Sequence, residues 1–284
     1  MQMSTTDVDA GIPALNQTER RRERRERRLT VVAPLLVLVV ALTAWEMFVR
    51  INKIPHYILP GPLLVMQTLW DSWPSLATSL MFTAKLTLSA LGLAILGGVG
   101  LGTLFALSRY VEVSLFPYAV ILQVTPIIAI APLILIYVDS TMGALLICAW
   151  IVAFFPILSS TVIGLRSADH NLRDLFTLYE ANPWQRFGYL LMPSALPYFM
   201  SGLKVSGGLA LIGAVVAEFV AGAAGKETGL ASRIFEASFR SDIPLMFAAL
   251  LLVSLCGIVI FLATSWVSHK VLGRWHESEL KRER

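Results

Sequence analysis

A chain of 284 residues with 56% apolar and only 15% charged side chains has too little polar surface to enclose a soluble globule of that length. Its mean hydropathy of +0.69, with a net charge of +4, indicates a polytopic membrane protein. Two cysteines, Cys148 and Cys256, lie far apart in apolar runs, and four histidines, His56, His170, His269 and His276, are scattered at segment edges. Neither set has the spacing of a disulfide framework, a metal site or a catalytic triad, so no catalytic, cofactor-binding or metal-binding residues are expected.

Residues 1–28 are hydrophilic and end in Arg20-Arg-Arg-Glu-Arg-Arg-Glu-Arg-Arg28, a basic tail followed at once by an apolar run at 29–49. A run of that length spans the hydrocarbon core, and no small-residue cleavage pattern follows it, so it reads as a retained anchor. The arginines hold the N-terminus in the cytoplasm, against anionic lipid. Without aromatic or Gly-rich companions they do not read as a nucleic-acid site.

Further apolar runs at 82–108, 113–138, 142–166, 200–221 and 244–268 give six predicted spans and an all-α fold. An even count returns the C-terminus to the cytoplasm, where Lys270, Arg274, Lys281, Arg282 and Arg284 form a second basic tail, 269–284. The segment 50–81 is then extracytoplasmic, and Leu63, Met66, Trp70 and Trp73 predict one face of an interfacial helix within it. The segment 222–243 predicts a turn and short helix on the same side, with Pro244 opening the last span.

Inside the spans, Ala90, Ala94, Gly98, Gly102 and Ala106 recur every fourth residue, a ridge of small side chains that lets another helix approach closely. The third span carries Gln123, Thr125, Pro126 and Pro132, so its backbone must bend where polar groups gather. Gln123 and Thr125 are candidates for a translocation path, against plain interhelical hydrogen bonding, and Ser206 of the fifth span is a further candidate for its lining. Glu46, Lys85, Lys204 and Glu218 lie near span ends and are expected to reach the interface. No carboxylate is expected at mid-membrane, which disfavours a stand-alone ion-coupled secondary transporter, the alternative reading.

Between the fourth and fifth spans, 169–198 is a polar interruption. Asn171 to Tyr179 has no Gly or Pro and sets Leu172, Leu175 and Phe176 at helical spacing. Asn182-Pro183 with Gln185 is a helix start, an N-cap followed by proline and a capping-box partner. A helix-turn-helix is predicted, with its turn at about Glu180 to Asn182.

This segment resembles the cytoplasmic coupling loop of permease subunits of binding-protein-dependent ABC importers, whose signature runs E-A-A-x-x-x-G-x(9)-I-x-L-P. Anchoring on Met192-Pro193 puts the signature Ile at Leu190, the Gly at Glu180 and the opening Glu at Asp174, with Leu175 and Phe176 for the alanines. The spacing fits throughout and the letters in part. The resemblance covers about 78–267, and phrases such as Ser194-Ala-Leu-Pro197 and Val216-Ala-Glu-Phe219 resemble the branch importing nitrate, sulfonates and taurine, with relatives for riboflavin and the thiamine pyrimidine precursor.

The resemblance implies a core of five helices over 82–268 in an inner-membrane permease that pairs with a second copy. It also implies a pair of ATPase subunits, which hold the ATP and Mg, and an extracytoplasmic binding protein that chooses the cargo. This chain has no Walker A pattern of its own. Leu172, Leu175, Phe176, Trp184 and Phe187 would then fill a groove on the ATPase, with Asp174, Glu180 and Arg186 at its rim. Ala181, Asn182, Pro183 and Pro193 would shape the turn and its exit.

Overall fold

The computed structural model describes residues 12–225 and 229–273, with side chains from Val32 onward, and among these residues there is no strand. The basic C-terminal residues Arg274, Lys281, Arg282 and Arg284 lie outside the described part. The chain divides into two compact units at Met66–Gln67.

In the first unit, α1 (Ile12–Ile51) carries the predicted anchor, and its Val32–Ile51 portion is long and apolar enough to cross a membrane. Glu46 near its end is engaged locally rather than simply free at an interface. One carboxylate oxygen accepts from the backbone N–H of Leu63 at 3.2 Å and the other from Arg50 Nε. Leu63 lies in the first turn of α2 (Pro62–Asp71), where a carboxylate offsets the unpaired amides of a helix start. Leu63, Met66 and Trp70 of α2 are all exposed.

Trp73 does not extend that amphipathic helix. It opens α3 (Trp73–Leu107), which begins nine residues before the predicted start of the second span, with Pro74 in its first turn. The 35 residues of α3 extend about 50 Å, well beyond the hydrocarbon thickness. The apolar run marked only the part immersed in lipid; the polar first turns continue the helix because nothing there breaks it.

The predicted third span is two helices. α4 (Arg109–Val124) and α5 (Ile127–Tyr137) meet at 101° across Thr125-Pro126, a broken span or a re-entrant loop rather than one rod. Pro126 has no N–H to continue the ladder, and the residue before a proline is pushed out of the helical region. Thr125 accordingly sits at φ −70°, ψ 122°. Five described helices are long and apolar enough to span, or six if the bent pair counts as one.

α6 (Thr141–Arg166) and α9 (Met192–Ala223) form the centre, with α3 against both. Their contacts run through small residues, since helices in lipid associate by close packing rather than by expelling water. Ala90, Ala94, Gly98 and Gly102 of α3 are buried and Ala106 is half-buried. A methyl on Gly98 would press on Ile157 and one on Gly102 on Thr161, both of α6. On the α6–α9 side, Gly213 lies against the backbone of Ala149 and Gly164 against that of Ala195. Buried Leu91, Phe105, Phe154, Ile157 and Leu203 fill one apolar core, and Leu86, Leu135, Leu145 and Cys148 the other. Leu96, Ile163, Ile212, Ile258 and Phe261 point outward, acceptable only where the surroundings are lipid.

Between α6 and α9 lie α7 (His170–Leu178) and the single turn α8 (Pro183–Arg186). A π-helical stretch, Phe187–Leu191, joins α8 directly to α9. The second helix of the predicted pair is thus the beginning of the long helix, not a separate element. Pro193 removes the 193→189 hydrogen bond, and widening the preceding turn to i→i+5 bonding accommodates it. α10 (Leu230–Phe239) and α11 (Ile243–Leu272) complete the fold, with Pro244 at the start of α11 and Asp242 capping it through Leu245 N–H at 3.2 Å.

Candidate functional site

The hairpin of α7 and α8 is defined by its backbone. Asp169 caps α7, accepting from Asn171 N–H at 2.7 Å and Leu172 N–H at 3.3 Å. At the other end the N–H groups of Glu180 and Ala181 bond to the carbonyls of Thr177 and Phe176, both at 3.0 Å. That pairing is the Schellman closure, which requires a left-handed residue at its first position outside the helix. Glu180 is that residue, at φ 52°. The position that aligns with the signature glycine therefore has the conformation glycine favours, held by a glutamate.

Asn182 then starts α8 by a reciprocal capping box, Asn182 Oδ1 accepting from Gln185 N–H at 2.8 Å and Gln185 Oε1 from Asn182 N–H at 2.9 Å. Across the turn the Arg186 guanidinium donates to the Thr177 hydroxyl and to the Arg173 carbonyl. Arg173 in turn donates to the carbonyls of Arg166, at 2.8 Å, and Leu165 at the end of α6. Ser167 bridges from α6 to Ser194 O of α9 at 3.3 Å. The hairpin is thereby fastened to both central helices. Arg186, assigned from sequence to a partner's rim, has its guanidinium committed inside the hairpin.

The other predicted docking residues divide by exposure. Leu172, Leu175 and Trp184 are exposed, Trp184 at 83%, while Phe176 and Phe187 are half-buried. Asp174 faces out beside His170, 3.5 Å away. A groove of about 320 Å³ opens between α7 and α8, lined by Leu175, Phe176, Tyr179, Ala181, Gln185 and Tyr189. Tyr179 and Tyr189 were not singled out in the sequence, because their convergence depends on the angle of the turn.

The path candidates lie on two elements, Gln123 and Thr125 at the end of α4 and Ser206 in α9. Gln123 is exposed and Thr125 half-buried at the α4–α5 bend, where the Thr125 hydroxyl donates back to Ile121 O at 2.6 Å. Ser206 is fully buried and donates to Ala153 O at 2.8 Å, an interhelical bond joining α9 to α6.

At the opposite end of α9 sits a group that its place in the sequence assigned to the interface. Glu218 is fully buried in α9. Its Oε2 accepts from the Thr83 hydroxyl of α3 at 3.0 Å and from the backbone N–H of Ala231 in α10 at 3.1 Å, and its Oε1 has no protein partner. The chain after α9 folds back over the carboxylate, and nothing local to Glu218 announces it. Among the described residues no cluster of His, Cys, Asp and Glu gathers to hold a metal.

A bundle of apolar helices joined by small-residue contacts, with a polar hairpin fastened to its two central members, defines a membrane transport subunit. Residues 94–273 match the family described as binding-protein-dependent transport system inner membrane component, and the chain belongs to that family. It is 32% identical to a riboflavin transport system permease protein of Chloroflexus aurantiacus, over 86% of this chain and 90% of that one. It is also 32% identical to a formylaminopyrimidine transport permease protein of Halalkalibacterium halodurans, over 89% and 100%. The fold matches a chain of the MetNI methionine ABC transporter in an inward-facing conformation, with a TM-score of 0.59 at 16% identity, covering 69% of this chain and 95% of that one. The chain is a multi-pass membrane permease of an ABC importer, and ATP hydrolysis belongs to a separate subunit.

Proposed function

We propose that this permease works as one of two copies in the inner membrane, with both termini in the cytoplasm, and passes a small planar nitrogen heterocycle delivered by an extracytoplasmic binding protein. The α7–α8 hairpin is the element gripped by the ATPase. The observation that carries this reading is the hairpin itself, which presents exposed Leu172, Leu175 and Trp184 around an open groove. Exposed apolar residues on a polar helix pair call for a partner surface, in the manner of a helix seated in a groove. Its ties through Arg173 and Ser167 carry a pull on the hairpin into α6 and α9. ATP binding by the partner pair would then rock the central helices between inward- and outward-facing states. The cargo class rests on the two permeases of similar sequence named for riboflavin and formylaminopyrimidine.

Pull-down of the ATPase by full-length permease, with Trp184→Asp and Phe176→Asp as variants, tests the docking. Both substitutions are expected to abolish co-purification while leaving the permease folded; retained binding overturns the assignment. Uptake of labelled riboflavin and of formylaminopyrimidine by reconstituted importer tests the cargo. Uptake of neither, or uptake that persists without ATPase, overturns that part.

A further inference from the structure

A carboxylate inside a span is costly to bury and persists where it has a task, so Glu218 calls for one. Its surroundings bring three elements together. Thr83 of α3 accepts from Leu230 N–H at 2.9 Å while its hydroxyl lies 3.0 Å from Glu218 Oε2 and 3.1 Å from Ser79 O. Ala231 N–H completes the pair, so the first two amides of α10, unpaired within the helix, are taken up by side chains of α3 and α9. Negative charge at that helix start is electrostatically favoured. A second tie runs from Arg233 Nε of α10 to Ser79 Oγ at 3.4 Å.

Gly229, immediately before α10, makes this closure possible. A methyl there would overlap Glu218 Oε1 and Thr83 Oγ1. Beyond its first turn α10 is flanked by hollows. One of about 250 Å³ is lined by Gly222, Ser232, Phe235 and Phe239, and another of about 400 Å³ by Asp71, Ser75, Arg233 and Asp242. Helix α10 is thus tied at its start by polar contacts, and farther along it packs through Phe235 on Phe219 of α9 and through buried Ala237.

We infer that Glu218 is a positioning residue for transport: through its grip on the first turn of α10 it makes α10 travel with α3 and α9 when the bundle changes state. α7 precedes α9 and α10 follows it, so the motion driven at the hairpin end reaches the far mouth through one 32-residue helix, and Glu218 is where that helix takes hold of the mouth. The drive at the hairpin end rests on the function proposed above, whereas the linkage of α10 to the spans, read by distance alone, depends neither on the cargo nor on the ATPase.

The test is a distance measurement by pulsed EPR in full-length permease in nanodiscs, with labelled chains diluted by an excess of unlabelled permease so that only the pair within one chain is read. Nitroxide labels are placed at Ser75→Cys and Ser238→Cys, both exposed, with Cys148 and Cys256 replaced by serine. The parent is expected to give one narrow distance between α3 and α10. Glu218→Ala and Gly229→Ala are expected to broaden it alike, since one removes the carboxylate and the other displaces it. Glu218→Gln, which keeps an acceptor for Ala231, is expected to restore most of it. Should Glu218→Ala fail to fold, Thr83→Val removes the shared hydroxyl at nearly constant volume and is read the same way. In the importer assembled with its ATPase and binding protein, the ratio of stimulated to basal ATP hydrolysis is expected to fall several-fold in the variants that broaden the distance. An unbroadened distance overturns the inference. So does a broadened distance with an unaltered ratio, which makes Glu218 a structural residue only.

Discussion

Arg166, the last residue of α6, grips Glu112 in the first turn of α4 with both terminal nitrogens, at 3.0 and 2.8 Å. The same guanidinium reaches Phe105 O of α3 at 3.3 Å, and Arg109 adds a second cation to Glu112 at 3.0 Å. Three helices therefore meet on one planar fork, at the end of α6 from which the hairpin departs.

A lysine at this position keeps the charge but cannot form the paired contact and reach the carbonyl as well. Arg166→Ala is expected to lower the melting temperature of the purified permease most, Arg166→Lys by less, and Glu112→Gln comparably to Lys. Because the Arg166 side chain is 43% exposed, the differences are expected to be small and to shrink in high salt. Thermal unfolding in detergent at two salt concentrations checks the order; equal melting temperatures for Ala and wild type at low salt dispose of the junction.

The glycines of the long helices separate into two kinds, and substitution distinguishes them. Gly213 faces Ala149 Cα and Val152 of α6, and a valine there must push two helices apart, at a cost of about 1–3 kcal/mol. Gly208 and Gly92 have open space where a methyl would sit. Alanine at either is expected to leave stability unchanged or to raise it, by up to about 1 kcal/mol from helix propensity alone. Melting curves of Gly213→Val, Gly208→Ala and Gly92→Ala decide this, and a destabilised Gly208→Ala refutes it.

Glu180 meets no such steric obstacle, but its left-handed backbone costs about 1–2 kcal/mol relative to a residue free of the Cβ constraint. Glu180→Gly relieves that strain while adding freedom to the unfolded chain, so stability is expected to hold or to rise by about 1 kcal/mol at most. Glu180→Val, β-branched in the same conformation, is expected to melt lower than either. If Val and Gly melt alike, the turn does not hold its positive φ in the protein.

What the sequence made legible was what local chemistry decides. The hairpin's turn and the cap of α8 were readable because Asn182 and Gln185 satisfy each other's backbone N–H and Pro183 has none to satisfy. The α3 ridge was readable because small residues at every fourth position of an apolar helix form a surface suited to close helix contact. The break at Thr125-Pro126 announced a bend but not its 101°, which depends on what α5 packs against. The burial of Glu218 and the partner of Ser206 were not legible, because neither is fixed by adjacent residues. Whether a polar side chain near the end or middle of a span faces lipid, water or another helix is decided by partners on other elements, Ala153 for Ser206 and both Thr83 and Ala231 for Glu218.

Arg186 offers a test of whether the hairpin acts as a rigid lever. Its guanidinium ties α8 to the Thr177 hydroxyl and Arg173 carbonyl of α7, and Arg173 in turn holds the end of α6. Removing it leaves the exposed Trp184 and Leu172 available to a partner but lets the two halves of the hairpin move separately. Arg186→Ala is therefore expected to keep ATPase binding within a few-fold of wild type while ATP-driven uptake falls much further, with faster amide exchange across 177–187. Thr177→Val removes one of the two ties and is expected to fall between. A variant that binds and transports like wild type means that α7 alone conveys the motion; one that loses binding and uptake in equal measure means that Arg186 shapes the docking surface rather than stiffening it.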